Sequence, residues 1–139
     1  MNYTLELNEK QAEVLKVVLE EFFRIRMNQF GGLAESLAFA GFDHENAPDE
    51  EFHNRLERRG SAEEVFRAGL KVAQPEWQSY TPVPQQEDSL IAQDIWQVVR
   101  HRLYLDRGGD PNGMSVDARE PLRLSQEPLP KMTLKGEGK

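Results

Sequence analysis

The clearest helical periodicity in the chain follows Asn8, where Leu15, Val18, Leu19, Phe22, Ile25 and Gln29 recur at three- and four-residue steps. Phe23, Met27 and Phe30 widen this stripe, and a stripe of that breadth predicts a helix packed against two neighbours. Asn8 and Gln11 have the spacing in which each side chain accepts the other's backbone N–H at a helix start. The glycine pair Gly31 and Gly32 is expected to stop or kink the helix. Ahead of it, residues 3–7 (YTLEL) alternate as a short strand does, with Tyr3, Leu5 and Leu7 on one side.

Residues 33–41 (LAESLAFAG) predict a second, short helix that buries Leu33, Leu37 and Phe39 or Ala40 and stops at Gly41. Residues 43–49 form a loop. Asp49 then caps a helix through Phe52, Leu56 and Arg59. Gly60 and Ser61 interrupt it, and Ser61 with Glu64 makes another capping box ahead of Val65, Phe66, Leu70 and Val72. This stretch is either one kinked helix or two. Three prolines in residues 74–86 predict a loop. Asp88 or Ser89 caps the last helix, where Ile91, Ile95, Trp96, Val98, Val99 and Leu103 cover more than half the circumference, and the GGDPNG run at 108–113 ends it.

Residues 114–139 hold three prolines and no helical period. Ordering such a segment costs roughly 1–2 kcal/mol per residue, so it is ordered only where it lies across the helices or reaches a second copy. Residues 114–117 are placed to pair with residues 3–7 as a two-stranded ribbon. The expected fold is therefore mainly α: a bundle of three to five helices in one domain over 1–113, with a short N-terminal β-strand and an extended C-terminal arm over 114–139. The breadth of the apolar stripes predicts a homodimer or higher homo-oligomer.

Composition narrows the class. The chain has 139 residues, 38% hydrophobic and 29% charged, and no apolar run long enough to span a membrane. Its N-terminus lacks the basic start and apolar core of a signal peptide, so a cytoplasmic location is expected. The absence of cysteine excludes disulfides and thiolate metal sites. A net charge of −7 argues against a partner of duplex nucleic acid. The charge is uneven, however: residues 1–99 carry 9 basic and 18 acidic side chains, residues 100–139 carry 8 and 6.

Few groups are arranged for catalysis. His44, His53 and His101 show no spacing that places two metal ligands on one helix face. Glu20 and Glu21, Glu50 and Glu51, and Glu63 and Glu64 are adjacent pairs, about 100° apart around a helix, whereas carboxylates that share a magnesium ion need three- or four-residue spacing. Serine-nucleophile motifs and phosphate-cradling glycine loops are absent. No catalytic residue, metal or cofactor is expected.

What stands out is a basic cluster in an acidic chain: Arg100, His101, Arg102 and Arg107, interleaved with Leu103, Tyr104 and Leu105. Arginines inside a bundle need a carboxylate or a phosphate. They either pair within the chain or converge on a phosphorylated ligand. The candidate ligand-binding set is Arg24, Arg26, Trp96, Arg100, His101, Arg102, Tyr104 and Arg107, with Tyr104 or Trp96 stacking on a base.

Three patches, YTLELNEKQ…RMNQFGGLAESLAFAGFD, IWQVVRHRLYLDR and GMSVDAREPLRLSQEPLPK, resemble uncharacterised small proteins encoded by phages and prophages of Firmicutes. The tail has Ser125, Gln126 and Glu127 where that group has Ser-Gly-Glu. The resemblance implies a gene context and brings no catalytic residues. It makes a non-enzymatic accessory protein the expectation, acting in counter-defence by sequestering a nucleotide-like signalling molecule. The alternatives are an inhibitor that binds a host protein and a metal-dependent nucleotide hydrolase.

Overall fold

The computed structural model describes residues 1–79 and 82–136. The expected loop at 74–86 and the expected arm therefore include residues (80, 81 and 137–139) that lie outside the described ones. Four helices follow in order: α1 (Glu9–Arg26), α2 (Gly31–Ala38), α3 (Asp49–Ala73) and α4 (Glu87–Asp106), then a short 3₁₀ turn, Val116–Ala118. Contacts group the chain into two units, Met1–Phe23 with Gln85–Lys139, and Arg24–Pro84.

The start of α1 follows the capping-box pattern. Asn8 N–H donates to Gln11 Oε1 and Gln11 N–H donates to Asn8 Oδ1, both at 2.9 Å. Its end corrects the expectation: the helix stops before the glycine pair. Asn28 takes a left-handed conformation (φ 58°), and the N–H groups of Asn28 and Gln29 return to the carbonyls of Ile25 and Arg24 at 2.9 Å. That is a Schellman closure with asparagine at the left-handed position, and it frees Gly31 and Gly32 to open α2.

Residues 3–7 form no strand, and the described residues contain none. A lone strand leaves its backbone groups unpaired. The expected partner, residues 114–117, runs instead into the 3₁₀ turn, where Ser115 Oγ accepts the Asp117 N–H at 3.2 Å. Tyr3 and Leu5 are exposed and only Leu7 reaches the core.

In the first unit Ala12, Val99 and Leu103 form the buried centre, joined by Leu7, Leu15, Ile95 and Met132. Phe23 is buried and meets Trp96 edge-to-face at 5.2 Å. The side of α1 that faces inward thus runs through Ala12, Leu15 and Phe23. Val18, Phe22 and Ile25, expected in the core, are exposed.

The second unit packs α2 against α3. α2 buries its small residues Ala34 and Ala38, while Leu37 is exposed. Phe39, Phe42 and Phe52 form a cluster of edge-to-face and tilted rings at centroid distances of 5.3–6.1 Å. α3 runs unbroken through Gly60 and Ser61, so Ser61 is a helix-interior residue and not a cap. Pro48 occupies the cap position of α3, leaving Asp49, Glu50 and Glu51 in its first turn, where the helix dipole favours negative charge.

The C-terminal arm runs back along α4 in the opposite direction, and α4 side chains hold its backbone. His101 Nδ1 lies 2.9 Å from Asp117 O. Gln97 donates to Leu122 O at 3.0 Å and accepts the Leu122 N–H at 3.1 Å. Asp94 accepts from the N–H groups of Leu124 and Ser125 and from the Ser125 hydroxyl, and Glu87 accepts the Gln126 N–H at 2.7 Å. Residues 87, 94, 97 and 101 recur at seven, three and four, one stripe of the helix. Polar side chains on that stripe supply the partners that the arm's unpaired backbone requires.

Candidate functional site

The basic cluster sits where α4 ends. Gly108 is left-handed (φ 81°), and the N–H groups of Gly108 and Gly109 return to Leu105 O and Tyr104 O at 3.0 and 2.9 Å, closing the helix. The chain then folds over the Tyr104 ring. A Cβ on Gly109 would lie 2.5 Å from two ring carbons, so only glycine fits there. The Tyr104 hydroxyl donates to Asp110 O at 2.9 Å. The ring is fixed at both ends before any ligand is considered.

Around it opens a cleft of about 310 Å³ lined by Lys16, Arg100, Leu103, Tyr104, Arg107, Gly108, Gly109 and Asp117. The three cations come from α1, α4 and the α4 end. Each is held by a carboxylate. Lys16 pairs with Glu13 at 2.6 Å. Arg107 bridges two turns of α1, with Nε 2.8 Å from Glu9 and Nη2 3.0 Å from Glu13. Arg100 lies over the Trp96 ring at 4.2 Å and donates to Val116 O at 3.3 Å. Its buried Nε is 3.4 Å from Asp117 Oδ1, an ion-pair distance that lacks hydrogen-bond geometry.

These pairs shift two groups. The hydrogen bond from Lys16, and then that from Arg107, hold the Glu13 carboxyl below its usual range against the opposing effect of burial. Glu9 first, then Glu13, raises Arg107 above its ordinary value. Arg107 stays charged throughout.

Of the eight residues singled out from the sequence, Arg100, Tyr104 and Arg107 line this one cleft. Trp96 lies behind it as the platform under Arg100, and His101 holds the 3₁₀ turn. Arg102 pairs with Asp106 one helical turn on. Arg24 and Arg26 belong by contacts to the other unit, where Arg24 donates to Gln29 Oε1 at 2.7 Å. Sequence reasoning missed Lys16 and Asp117 in the cleft, and Glu9 and Glu13 beside it. The signal for the three α1 residues was present, since Glu9, Glu13 and Lys16 recur at four and three on that helix. Nothing in the sequence marks Asp117.

Among the described residues no three His, Asp or Glu side chains gather to hold a metal ion. No helix there is long and apolar enough to cross a membrane. No family model, curated protein or solved structure matches this chain.

Proposed function

We propose that this chain is a non-enzymatic binding protein that captures a phosphorylated, nucleotide-like small molecule in the cleft at the end of α4. The observation that carries the reading is the shared lining of Lys16, Arg100, Tyr104 and Arg107. Three cations beside an aromatic face suit an anion attached to a planar group. In the free chain the carboxylates of Glu9, Glu13 and Asp117 stand in for the anion. A phosphate displaces them by offering more charge and more acceptor oxygens to the same donors. Arg100 is the best-placed recipient, because its Nε is buried beside Asp117 without a well-aligned hydrogen bond.

The resemblance to phage-encoded small proteins fits an accessory role in the host cytoplasm, and sequestration of a signalling nucleotide in counter-defence needs binding groups without a nucleophile. A second reading, inhibition of a host protein, draws on the exposed Val65 and Val72, seven residues apart on α3. The hydrolase reading has no support from the glutamate pairs, which meet no third ligand among the described residues.

Calorimetry with cyclic dinucleotides and ADP-ribose tests the first reading. The expected result is saturable heat for at least one of them, weakened by Lys16→Ala and by Arg107→Ala and by added salt. Absence of heat across the panel at high micromolar ligand overturns it.

A further inference from the structure

The carboxylates that hold the cations of the α4-end cleft mark where anions sit in it. Lys16 and Arg107 share one of them: Lys16 Nζ lies 2.6 Å from Glu13 Oε1, and Arg107 Nη2 lies 3.0 Å from Glu13 Oε2. Arg107 Nη1 makes no bond among the described residues, so this pair of cations keeps a donor to spare. The second position is at Arg100, whose buried Nε lies 3.4 Å from Asp117 Oδ1 without a hydrogen bond. Lys16, Arg107 and Arg100 line one cleft of about 310 Å³ inside one unit, so anions held at the two positions are close neighbours.

Tyr104 offers a planar ligand one face only. A Cβ at Gly109 would lie 2.5, 2.5 and 2.6 Å from three consecutive ring carbons. Approach along the ring edge would leave the middle carbon distinctly nearest, so Gly109 covers a face. Trp96 adds no second platform, because Arg100 lies on its ring at 4.2 Å and the indole does not line the cleft. The volume, too, is at the lower end for small-molecule sites. We infer that the captured ligand is a nucleoside carrying two adjacent phosphates, with its one base on Tyr104 and one phosphate at each of the two anion positions. This rests on the ligand-capture proposal above and narrows it. A cyclic dinucleotide has two bases and sets its phosphates on opposite sides of a large ring. A nucleoside monophosphate leaves one of the two positions to its carboxylate.

Calorimetry on the full chain with ADP-ribose, AMP and cyclic di-AMP at about pH 8 tests this, because each then carries about two negative charges and only their arrangement differs. ADP-ribose should bind at least about tenfold more tightly than either of the others, the effect of one further charge-assisted contact. Lys16→Gln and Arg100→Gln should each weaken ADP-ribose at least about fivefold. AMP, which needs one position, should weaken in no more than one of the two variants. Asp117→Asn removes the carboxylate that competes for Arg100 and leaves the stack on Trp96 in place, so it should tighten ADP-ribose; it keeps the test valid if Arg100→Gln fails to fold. AMP or cyclic di-AMP binding as tightly as ADP-ribose overturns the inference and leaves ligand capture standing. So does an ADP-ribose affinity that Lys16→Gln or Asp117→Asn leaves unchanged. Absence of heat from all three ligands removes both.

Discussion

Asp94 accepts the Ser125 hydroxyl at 2.6 Å, and both residues are buried, at 2% and 5% exposure. The same carboxylate takes the N–H groups of Leu124 and Ser125 at 2.8 and 3.0 Å. A buried carboxylate is tolerated when several donors surround it, and here all three come from the C-terminal arm. The arm is thereby a structural part of the first unit. It supplies Asp117 to the cleft and Met132 to the core.

Asp94→Ala should destabilise the protein by about 2–4 kcal/mol, because the two buried donors of Ser125 and the half-buried N–H of Leu124 lose their acceptor at once. Ser125→Ala, which removes one of the three, should cost about 1–2 kcal/mol. Urea denaturation gives both values. Amide exchange at residues 122–126 should accelerate in the first variant well before the helices open.

Gly109→Ala should displace the Tyr104 ring, since the added carbon overlaps it at 2.5 Å. The expected cost is about 1–3 kcal/mol, with loss of ligand heat if the ring forms the stacking face. A thermal-unfolding midpoint equal to that of the unsubstituted chain would show that the turn at 108–113 is not built around Tyr104.

Acid should weaken the link between α1 and the end of α4. Glu13 titrates below its ordinary 4.5, through Lys16 first and Arg107 second. A carboxyl depressed by folding adds stability that is complete above its unfolded value and is lost as pH falls through its folded value. Glu13→Gln should therefore lower the urea midpoint at neutral pH and flatten its decline below pH 4.5. Parallel declines in the two proteins would remove Glu13 from the account.

The helical class was legible because the periodic stripes after Asn8 and Asp88 are long and the Asn8–Gln11 cap has a defined spacing. Three misreadings have local causes. Asn28 took the left-handed position that the Gly31 and Gly32 pair advertised, since asparagine also tolerates it. Residues 3–7 alternate, yet alternation makes no strand without a neighbour to pair with. The wide stripe of α1 offered two inward faces, and small Ala12 beside Leu15 was chosen over Val18. The cleft was half legible. Arg100, Tyr104 and Arg107 are close in sequence, but Lys16 and Asp117 reach them only through tertiary folding. Asp94 gave no warning, because a carboxylate among Ile91, Ile95 and Val98 looks solvent-facing until the arm is laid over it.

The most direct test of ligand capture is an NMR titration that follows the side-chain Nε–H resonances of Arg100 and Arg107 as ADP-ribose or a cyclic dinucleotide is added. The account predicts that both shift together and saturate with one of these ligands, as each guanidinium exchanges its carboxylate partner for phosphate. Resonances that stay in place with every ligand up to about 1 mM, where even weak binding registers, would contradict it.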